Sequence, residues 1–213
     1  MIKAFLFDFD GTLANTLPLY IKAYDKALSS IGFSLSEQDI VKKCFGIKEV
    51  SICRSLGVPE KSDEFTKNYF SEVKILCKEA ALFDGTLNFL IYLRERGIKT
   101  AIITFAYRWY IDMIIEELKI GSLIDMIVSS NDVKYPKPEP EAVLKICHSF
   151  KVNPKDCIVV GDSRSDIIMA HAAGSKSALM HPKNYDLFYS LEELKKTNPD
   201  TIIQNITELK AFL

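Results

Sequence analysis

Apolar and polar positions along most of this chain alternate in the way that predicts strands followed by helices. The short apolar run 2–7 has the length and composition of a buried parallel strand. Further strands are predicted at 98–103, 124–128, 157–161, 178–180 and 200–203. Helical periodicity falls between them, at about 18–30, 86–96, 108–119, 139–150 and 167–173, with Gly174 suited to end the last of these. Such repetition predicts an α/β fold with a parallel sheet covered by helices on both faces.

One long segment interrupts this alternation. Over about 32–82 the pattern is helical only, with a helix start at Ser36 and breaks at Gly46 and at 57–59. The sequence therefore predicts a core domain and an inserted helical domain, with the core at 1–14 and 83–213 and the insert at 15–82.

Composition and charge narrow the possible partners. Hydrophobic residues make up 48% and charged residues 26%, as in an ordinary globular protein. Lys and Arg total 27 against 28 Asp and Glu, so no basic field argues for nucleic acid. The first apolar run is too short for a membrane span or signal peptide, and Asp8 and Asp10 interrupt it. The five cysteines have no metal-type spacing, and we expect reduced thiols in a cytoplasmic protein.

Two carboxylates stand where the first strand ends. Asp8 and Asp10 are two positions apart, so in extended backbone they begin on the same face. Two acids held together repel unless a cation or a shared proton relieves them. Gly11, which lacks a Cβ, lets its amide approach an anion closely. The pattern indicates a divalent metal ion, a nucleophile and a second acid at the carboxyl end of a strand.

A second strand far downstream ends in the same way. The apolar run 157–160 leads to Gly161 and Asp162, and Asp166 follows four residues later. If the sheet brings both strand ends together, the acids form the oxygen-rich site that Mg²⁺ requires.

The sequence around Asp84 repeats Phe-Asp-Gly-Thr-Leu from the first strand end. No acid lies two positions before Asp84, and the residues before it are helix-like. We therefore expect Asp84 to lie near a helix N-terminus, where the chain returns from the insert to the core, and not to form a second active site.

These motifs, in this order, resemble the haloacid dehalogenase superfamily, on its phosphatase side and most closely its phosphoglycolate phosphatase-like branch. The four matching segments are Asp8-Phe9-Asp10-Gly11-Thr12-Leu13, the strand that ends in Thr104, Lys137-Pro138-Glu139-Pro140, and Gly161-Asp162-Ser163 through Asp166. The resemblance implies a Rossmann-like parallel sheet and identifies the all-helical insert as a mobile cap domain. One departure is Phe105, which stands where many relatives have a polar residue, often asparagine. Backbone phosphate contacts would survive that change, whereas a side-chain contact would not.

The resemblance also implies roles for individual residues. Asp8 would be the nucleophile that carries a transient phosphoryl group, and Asp10 the general acid and then base. The expected phosphate-binding residues are Gly11, Thr104, Phe105 and Lys137, of which Thr104 and Lys137 also stabilise the transition state. The expected magnesium ligands are Asp8, the main-chain carbonyl of Asp10, Asp162, and Asp166 directly or through water.

Several alternatives remain open at this stage. The expected substrate is a small phosphorylated metabolite such as 2-phosphoglycolate, and the protein is expected to be a monomer or homodimer. A phosphosugar mutase of the same superfamily would share the core motifs, and a phosphate-sensing or protein-binding module could keep the fold without turnover. Taken singly, Lys137 could be a solvated loop lysine and Asp166 could face solvent, while Tyr110 is expected only to pack. One or two of four cations could meet the substrate's far end, or the four could form only a solvated cationic helix face: Lys42, Lys43, Lys48 and Arg54.

Overall fold

The computed structural model describes residues 1–183 and 185–213. Within those residues, six strands form one sheet, and every neighbouring pair is parallel. The strands are β1 (Ala4–Phe7), β2 (Lys99–Ile103), β3 (Met126–Val128), β4 (Cys157–Gly161), β5 (Lys176–Met180) and β6 (Thr201–Ile203). Their order across the sheet is β3-β2-β1-β4-β5-β6, so the direction of winding reverses between β1 and β4.

The α-helices connect these strands and also build a separate helical segment between β1 and β2. They are α1 (Leu17–Ser30), α2 (Glu37–Cys44), α3 (Glu49–Ser55), α4 (Ser62–Leu76), α5 (Thr86–Glu95), α6 (Arg108–Glu117), α7 (Glu141–Phe150), α8 (Arg164–Ala173) and α9 (Leu191–Lys195). No helix in the described part of the chain combines the length and apolar character needed to cross a membrane.

Strand β1 is buried on both of its faces because its side chains alternate between two apolar layers. On one face Leu6 belongs to a core cluster with Ile146 of α7 and Met169 of α8. On the other face the ring of Phe5 meets the ring of Phe89 in α5 edge-on, with centroids 5.5 Å apart. Helices thus cover both faces of a parallel sheet, and the predicted α/β, Rossmann-like fold is confirmed.

The chain divides into two compact units, Met1–Asn15 with Ala81–Leu213, and Thr16–Ala80. The second unit contains α1 to α4 and is helical, and its core includes stacked aromatic rings. The rings of Tyr24 and Tyr69 lie 4.3 Å apart and nearly parallel, and Phe65 stacks beside them. Ser36 caps α2, since its side chain accepts a hydrogen bond from the Asp39 amide.

Some strand and helix boundaries differ from the predicted ones. Strand β5 begins at Lys176 and is longer than predicted, and α6 ends at Glu117, two residues before Lys119 takes a φ of 56°. Gly174 ends α8 with a φ of 76°, as its position predicts. After β6, Ile206–Phe212 forms a 3₁₀ helix.

Candidate active site

The two acid-tipped strands lie side by side at the centre of the sheet. Phe7 of β1 pairs with Val160 of β4, and the amide of Asp8 continues this ladder by donating to the carbonyl of Val160 at 2.8 Å. Asp162 follows directly after β4. Open α/β sheets bind ligands at the carboxyl ends of their strands where the winding reverses, and that position here lies between β1 and β4.

Three carboxylates converge at this position. Asp8, Asp162 and Asp166 each present one carboxylate oxygen within 4.8 Å of the others. The ammonium nitrogen of Lys137 lies 3.0 Å from Asp8 Oδ1 and 2.8 Å from Asp166 Oδ1. We call these four residues the acidic cluster. Its members come from three separate parts of the sequence, and folding places one ammonium group beside two of the three convergent carboxylates.

Asp166 is held from two sides. Its Oδ1 accepts from Lys137, while its Oδ2 accepts from the Ser163 amide at 3.1 Å and the Ser163 hydroxyl at 2.5 Å. These bonds cap the N-terminus of α8. A Cβ on Gly161 would come within 2.2 Å of Asp166 Cγ, so only glycine leaves room for this carboxylate. Asp166 and Lys137 are 1% and 8% exposed, so the alternatives of a solvent-facing acid and a solvated lysine are wrong.

Burial disfavours the ionised forms of the carboxyl groups in the acidic cluster. It raises the pKa of Asp8 to about 7, with Asp166 and Asp10 adding to the rise and Lys137 opposing it. Burial and the neighbouring Asp8 and Asp166 carboxylates raise the pKa of Asp162 well above its usual range. Burial alone would lower the pKa of Lys137, but Asp166 and Asp8 raise it above its ordinary value.

The acidic cluster fits a divalent cation. Among the described residues, Asp162 Oδ2 is buried with no hydrogen-bond partner, and its Oδ1 accepts only a long bond, 3.4 Å, from the Thr12 hydroxyl. A buried carboxylate oxygen left in this way is costly unless a positive charge meets it. Hard divalent cations take carboxylate oxygens as ligands, so Asp8, Asp162 and Asp166 are suited to hold one.

Asp10 has a different environment from the acidic cluster. Its carboxylate is not a member of the convergent group, and its Oδ1 accepts a hydrogen bond from the Tyr110 hydroxyl at 2.7 Å. Tyr110 lies in the first turn of α6 and is buried, so it packs as expected, but its hydroxyl also reaches the site. No local pattern predicts this contact, because a tyrosine among apolar residues indicates only a core position.

Three of the expected phosphate-binding residues lie after β1 and β2, namely Gly11, Thr104 and Phe105. Thr104 is buried directly after β2, and its Oγ1 accepts from the Ala106 amide at 3.1 Å, which leaves its own O–H to donate. Phe105 is 38% exposed. Gly11 has a φ of 82°, and its amide donates to the carbonyl of Ala14 at 2.8 Å. That bond already gives the Gly11 amide an acceptor, so phosphate binding by Gly11 and Phe105 stays a prediction.

Asp84, in the repeated Asp-Gly-Thr-Leu segment, has no comparable surroundings. It is exposed and immediately precedes Gly85, the residue that caps α5 at its N-terminus, as predicted. Its carbonyl accepts a hydrogen bond from the Asn205 side chain. The same local sequence therefore occurs once within a buried site and once on the surface.

Comparisons with known proteins agree with this fold. The chain is 27% identical over 214 residues to phosphoglycolate phosphatase 1 of Pseudomonas aeruginosa, covering 96% of this chain and 77% of that one. A crystal structure from Haemophilus somnus, predicted to be a phosphoglycolate phosphatase, superposes with a TM-score of 0.87 at 22% identity, covering 99% and 97%. A Thermotoga maritima structure assigned as a beta-phosphoglucomutase gives 0.82 at 25% identity and covers all of both chains.

A family model matches a span of the chain that contains all four motif segments. The model of the haloacid dehalogenase-like hydrolases matches residues 5–180, a span that includes Asp8, Thr104, Lys137 and Asp162. The chain belongs to the haloacid dehalogenase-like hydrolase family.

Proposed function

We propose that this protein is a magnesium-dependent phosphatase that hydrolyses a small phosphomonoester, such as 2-phosphoglycolate, through an aspartyl-phosphate intermediate. The observation that carries the proposal is the acidic cluster. In it, Asp8 directly follows β1 and lies beside two further carboxylates and the Lys137 ammonium group. The relatives named as phosphoglycolate phosphatases support the substrate class.

The first half of the reaction transfers the phosphoryl group to the enzyme. A carboxylate oxygen of Asp8 attacks phosphorus, and the bond from phosphorus to the substrate oxygen breaks. Protonated Asp10 gives its proton to that oxygen, so the leaving group departs as a neutral alcohol. Lys137, 3.0 Å from Asp8, is placed to offset the negative charge of the transferring group.

The second half returns the enzyme to its starting state. Asp10, now a carboxylate, takes a proton from water as the water oxygen attacks phosphorus. The bond between phosphorus and Asp8 breaks, which releases inorganic phosphate and restores the Asp8 carboxylate. Thr104, whose hydroxyl can donate, would hold a phosphoryl oxygen in both halves.

Asp8, Asp162, Asp166 and the main-chain carbonyl of Asp10 would hold the magnesium ion. When bound, such an ion neutralises the charge that otherwise keeps an anionic carboxylate away from an anionic phosphate. Asp162 is the residue best suited to this task, because its buried Oδ2 has no partner in the described structure.

We propose that the helical unit Thr16–Ala80 serves as the cap that selects the substrate. Lys42, Lys43, Lys48 and Arg54 are exposed on this unit, and their charge would suit a substrate with a carboxylate beyond the phosphate. Replacing Lys42 and Lys48 with glutamate should then raise KM for 2-phosphoglycolate more than KM for a neutral phosphomonoester. Equal changes in both KM values would remove these lysines from substrate selection.

The central experiment measures phosphate release from a panel of small phosphomonoesters, with Mg²⁺ present or chelated. We expect Mg²⁺-dependent release by the wild-type protein and none by Asp8→Asn, which changes one oxygen to nitrogen. Asp84→Asn is the matched control, since it makes the same change in the repeated motif on the surface, and it should keep full activity. Turnover by Asp8→Asn, or its absence from the wild type across the panel, would contradict the proposal.

A phosphosugar mutase is the second candidate, favoured by the structural likeness to the Thermotoga maritima protein. A mutase would return the phosphoryl group to the sugar, whereas a phosphatase gives it to water. Incubation with a hexose 1-phosphate separates the two: a mutase yields the 6-phosphate with little free phosphate, and a phosphatase yields free phosphate in proportion to substrate consumed.

A further inference from the structure

A buried tyrosine joins the candidate active site from α6. Tyr110 is 4% exposed, and its hydroxyl donates to Asp10 Oδ1 at 2.7 Å, a distance typical of a strong O–H···O bond. The two residues are one hundred positions apart in sequence. Strand β2, which leads into α6, pairs directly with β1, which leads into Asp10, and this pairing brings them together.

The tyrosine ring has an aromatic neighbour and lies on a helix with a buried apolar face. Its neighbour Trp109 meets it edge-on, with ring centroids 6.1 Å apart at an angle of 85°. The rest of α6 is anchored by buried Ile111 and Ile114. The hydroxyl is therefore presented from a packed helix, and Asp10 lies in the turn next to Gly11.

We propose that Tyr110 is a positioning residue that fixes the orientation of the Asp10 carboxyl group for proton transfer. This inference rests on the proposed function, in which Asp10 is the general acid and base. A carboxyl group carries its proton on one oxygen, and the Tyr110 hydroxyl, which donates to Oδ1, favours the state in which the proton is on Oδ2. The same oxygen then donates to the leaving group in the first half of the reaction and accepts from water in the second.

A purely structural role is the alternative to be tested. A buried tyrosine hydroxyl needs an acceptor, and Asp10 could serve only to satisfy it. The two roles differ in which reactions suffer when the hydroxyl is removed. A positioning role affects reactions that need a proton donor, namely those whose leaving group is a poor one. A structural role affects all substrates alike.

The test compares Tyr110→Phe with wild type in Mg²⁺, using alkyl phosphates and phosphates with a good aryl leaving group such as 2,4-dinitrophenyl phosphate. Phenylalanine keeps the ring and its contact with Trp109 and removes only the hydroxyl. We expect kcat for alkyl phosphates to fall about 10- to 100-fold, because misplacing a catalytic group by about 1 Å costs up to that much. The first step with the aryl phosphate should change by less than about threefold, because its leaving group needs little protonation. KM should stay the same for both.

Because Asp10 also acts as base in the second step, the aryl phosphate is followed under single-turnover conditions, where release of the aryl alcohol reports the first step alone. Tyr92→Phe removes a hydroxyl from α5 and is the matched control, expected to leave both rates unchanged. Asp10→Asn supplies the second comparison: adding Tyr110→Phe to it should cause no further loss, since Tyr110 acts through Asp10.

Each outcome bears on a different claim. An equal loss for alkyl and aryl substrates, or a further loss in the Asp10→Asn background, would overturn the positioning role and leave the proposed phosphatase intact. The Asp10→Asn comparison decides the matter even if Tyr110→Phe lowers the melting temperature, because a structural loss would appear in both backgrounds. An inactive wild type would instead overturn the proposed function itself.

Discussion

Replacing Lys137 with methionine tests the electrostatics of the acidic cluster. The Lys137 side chain is 5% exposed, and its ammonium group contacts Asp8 and Asp166 at 3.0 and 2.8 Å. Methionine has a similar volume and no charge, so the substitution leaves buried carboxylates without their cation and makes little cavity.

The expected cost is large. Removing one partner of a buried ion pair destabilises a protein by about 3–5 kcal/mol, because the remaining charge stays buried and uncompensated. The matched control is Lys99→Met, which breaks an ion pair of similar length with Asp125, 2.7 Å, in which the side chains are 49% and 34% exposed. An exposed pair of that kind is worth about 1 kcal/mol or less.

The loss caused by Lys137→Met should depend on pH in a defined direction. The pKa of Asp8 is about 7 in the folded chain, whereas the unperturbed value for aspartate is about 3.9. The folded state therefore binds this proton more tightly, and the resulting stability is fully present below about pH 4 and lost as the pH rises through about 7. Without Lys137 the pKa of Asp8 rises further, so the variant continues to lose stability at pH values where the wild type has levelled off.

Urea unfolding of both variants and the wild type, in EDTA and at several pH values, measures these differences. We expect the deficit of Lys137→Met to stay nearly level up to about pH 6 and to grow above about pH 7, and that of Lys99→Met to stay small. A deficit in Lys137→Met that matches the control, or that is constant with pH, would refute the account of a cation compensating buried carboxylates.

Three further predictions concern single positions. Gly161→Ala should displace the Asp166 carboxylate, because a Cβ there would come within 2.2 Å of Asp166 Cγ, and it should abolish Mg²⁺-dependent phosphate release. Gly121→Ala is the control: its Cβ would have its nearest contact at 3.4 Å, and it should leave phosphate release unchanged. Asp162→Asn should raise the melting temperature in EDTA, because it removes a carboxyl group whose pKa burial raises. It should also lose the further rise that Mg²⁺ gives the wild type, and an equal Mg²⁺ response in both would remove Asp162 from the metal site. Ser36→Ala should cost about 1 kcal/mol in urea unfolding through loss of the α2 cap, and an unchanged free energy of unfolding would show that the cap is unimportant.

Much of the fold could be predicted because its strands are short apolar runs that end at recognisable residues. The run before Asp8 and the run before Asp162 could be placed as strand ends from their composition and their following acids, whereas their meeting was only a condition for an Mg²⁺ site. The boundaries of α6 were less accessible. Its helical pattern continues past Glu117, and nothing local shows that Lys119 adopts a left-handed conformation.

The parts of the site that the sequence did not predict depend on contacts between distant segments. The Ser163 hydroxyl has a sequence signature, since a serine three positions before an acid is a capping pattern. Tyr110 has none, because its partner Asp10 lies one hundred residues away and only the pairing of β1 with β2 brings them together. Periodicity reports that a tyrosine is buried, but it does not report what its hydroxyl meets.

The acidic cluster shows how chemistry and stability oppose each other in this molecule. Burial raises the pKa of Asp8 and Asp162, so the metal-free fold favours protonated carboxyl groups that are poor nucleophiles and poor ligands. A bound cation would favour the ionised forms instead and would stabilise the folded state in proportion to its own affinity. Lys137 meets Asp8 and Asp166, while Asp162 Oδ2 is left without a hydrogen bond among the described residues. The lysine therefore offsets part of the repulsion in the metal-free fold, and the remainder would favour the binding of a cation at Asp162.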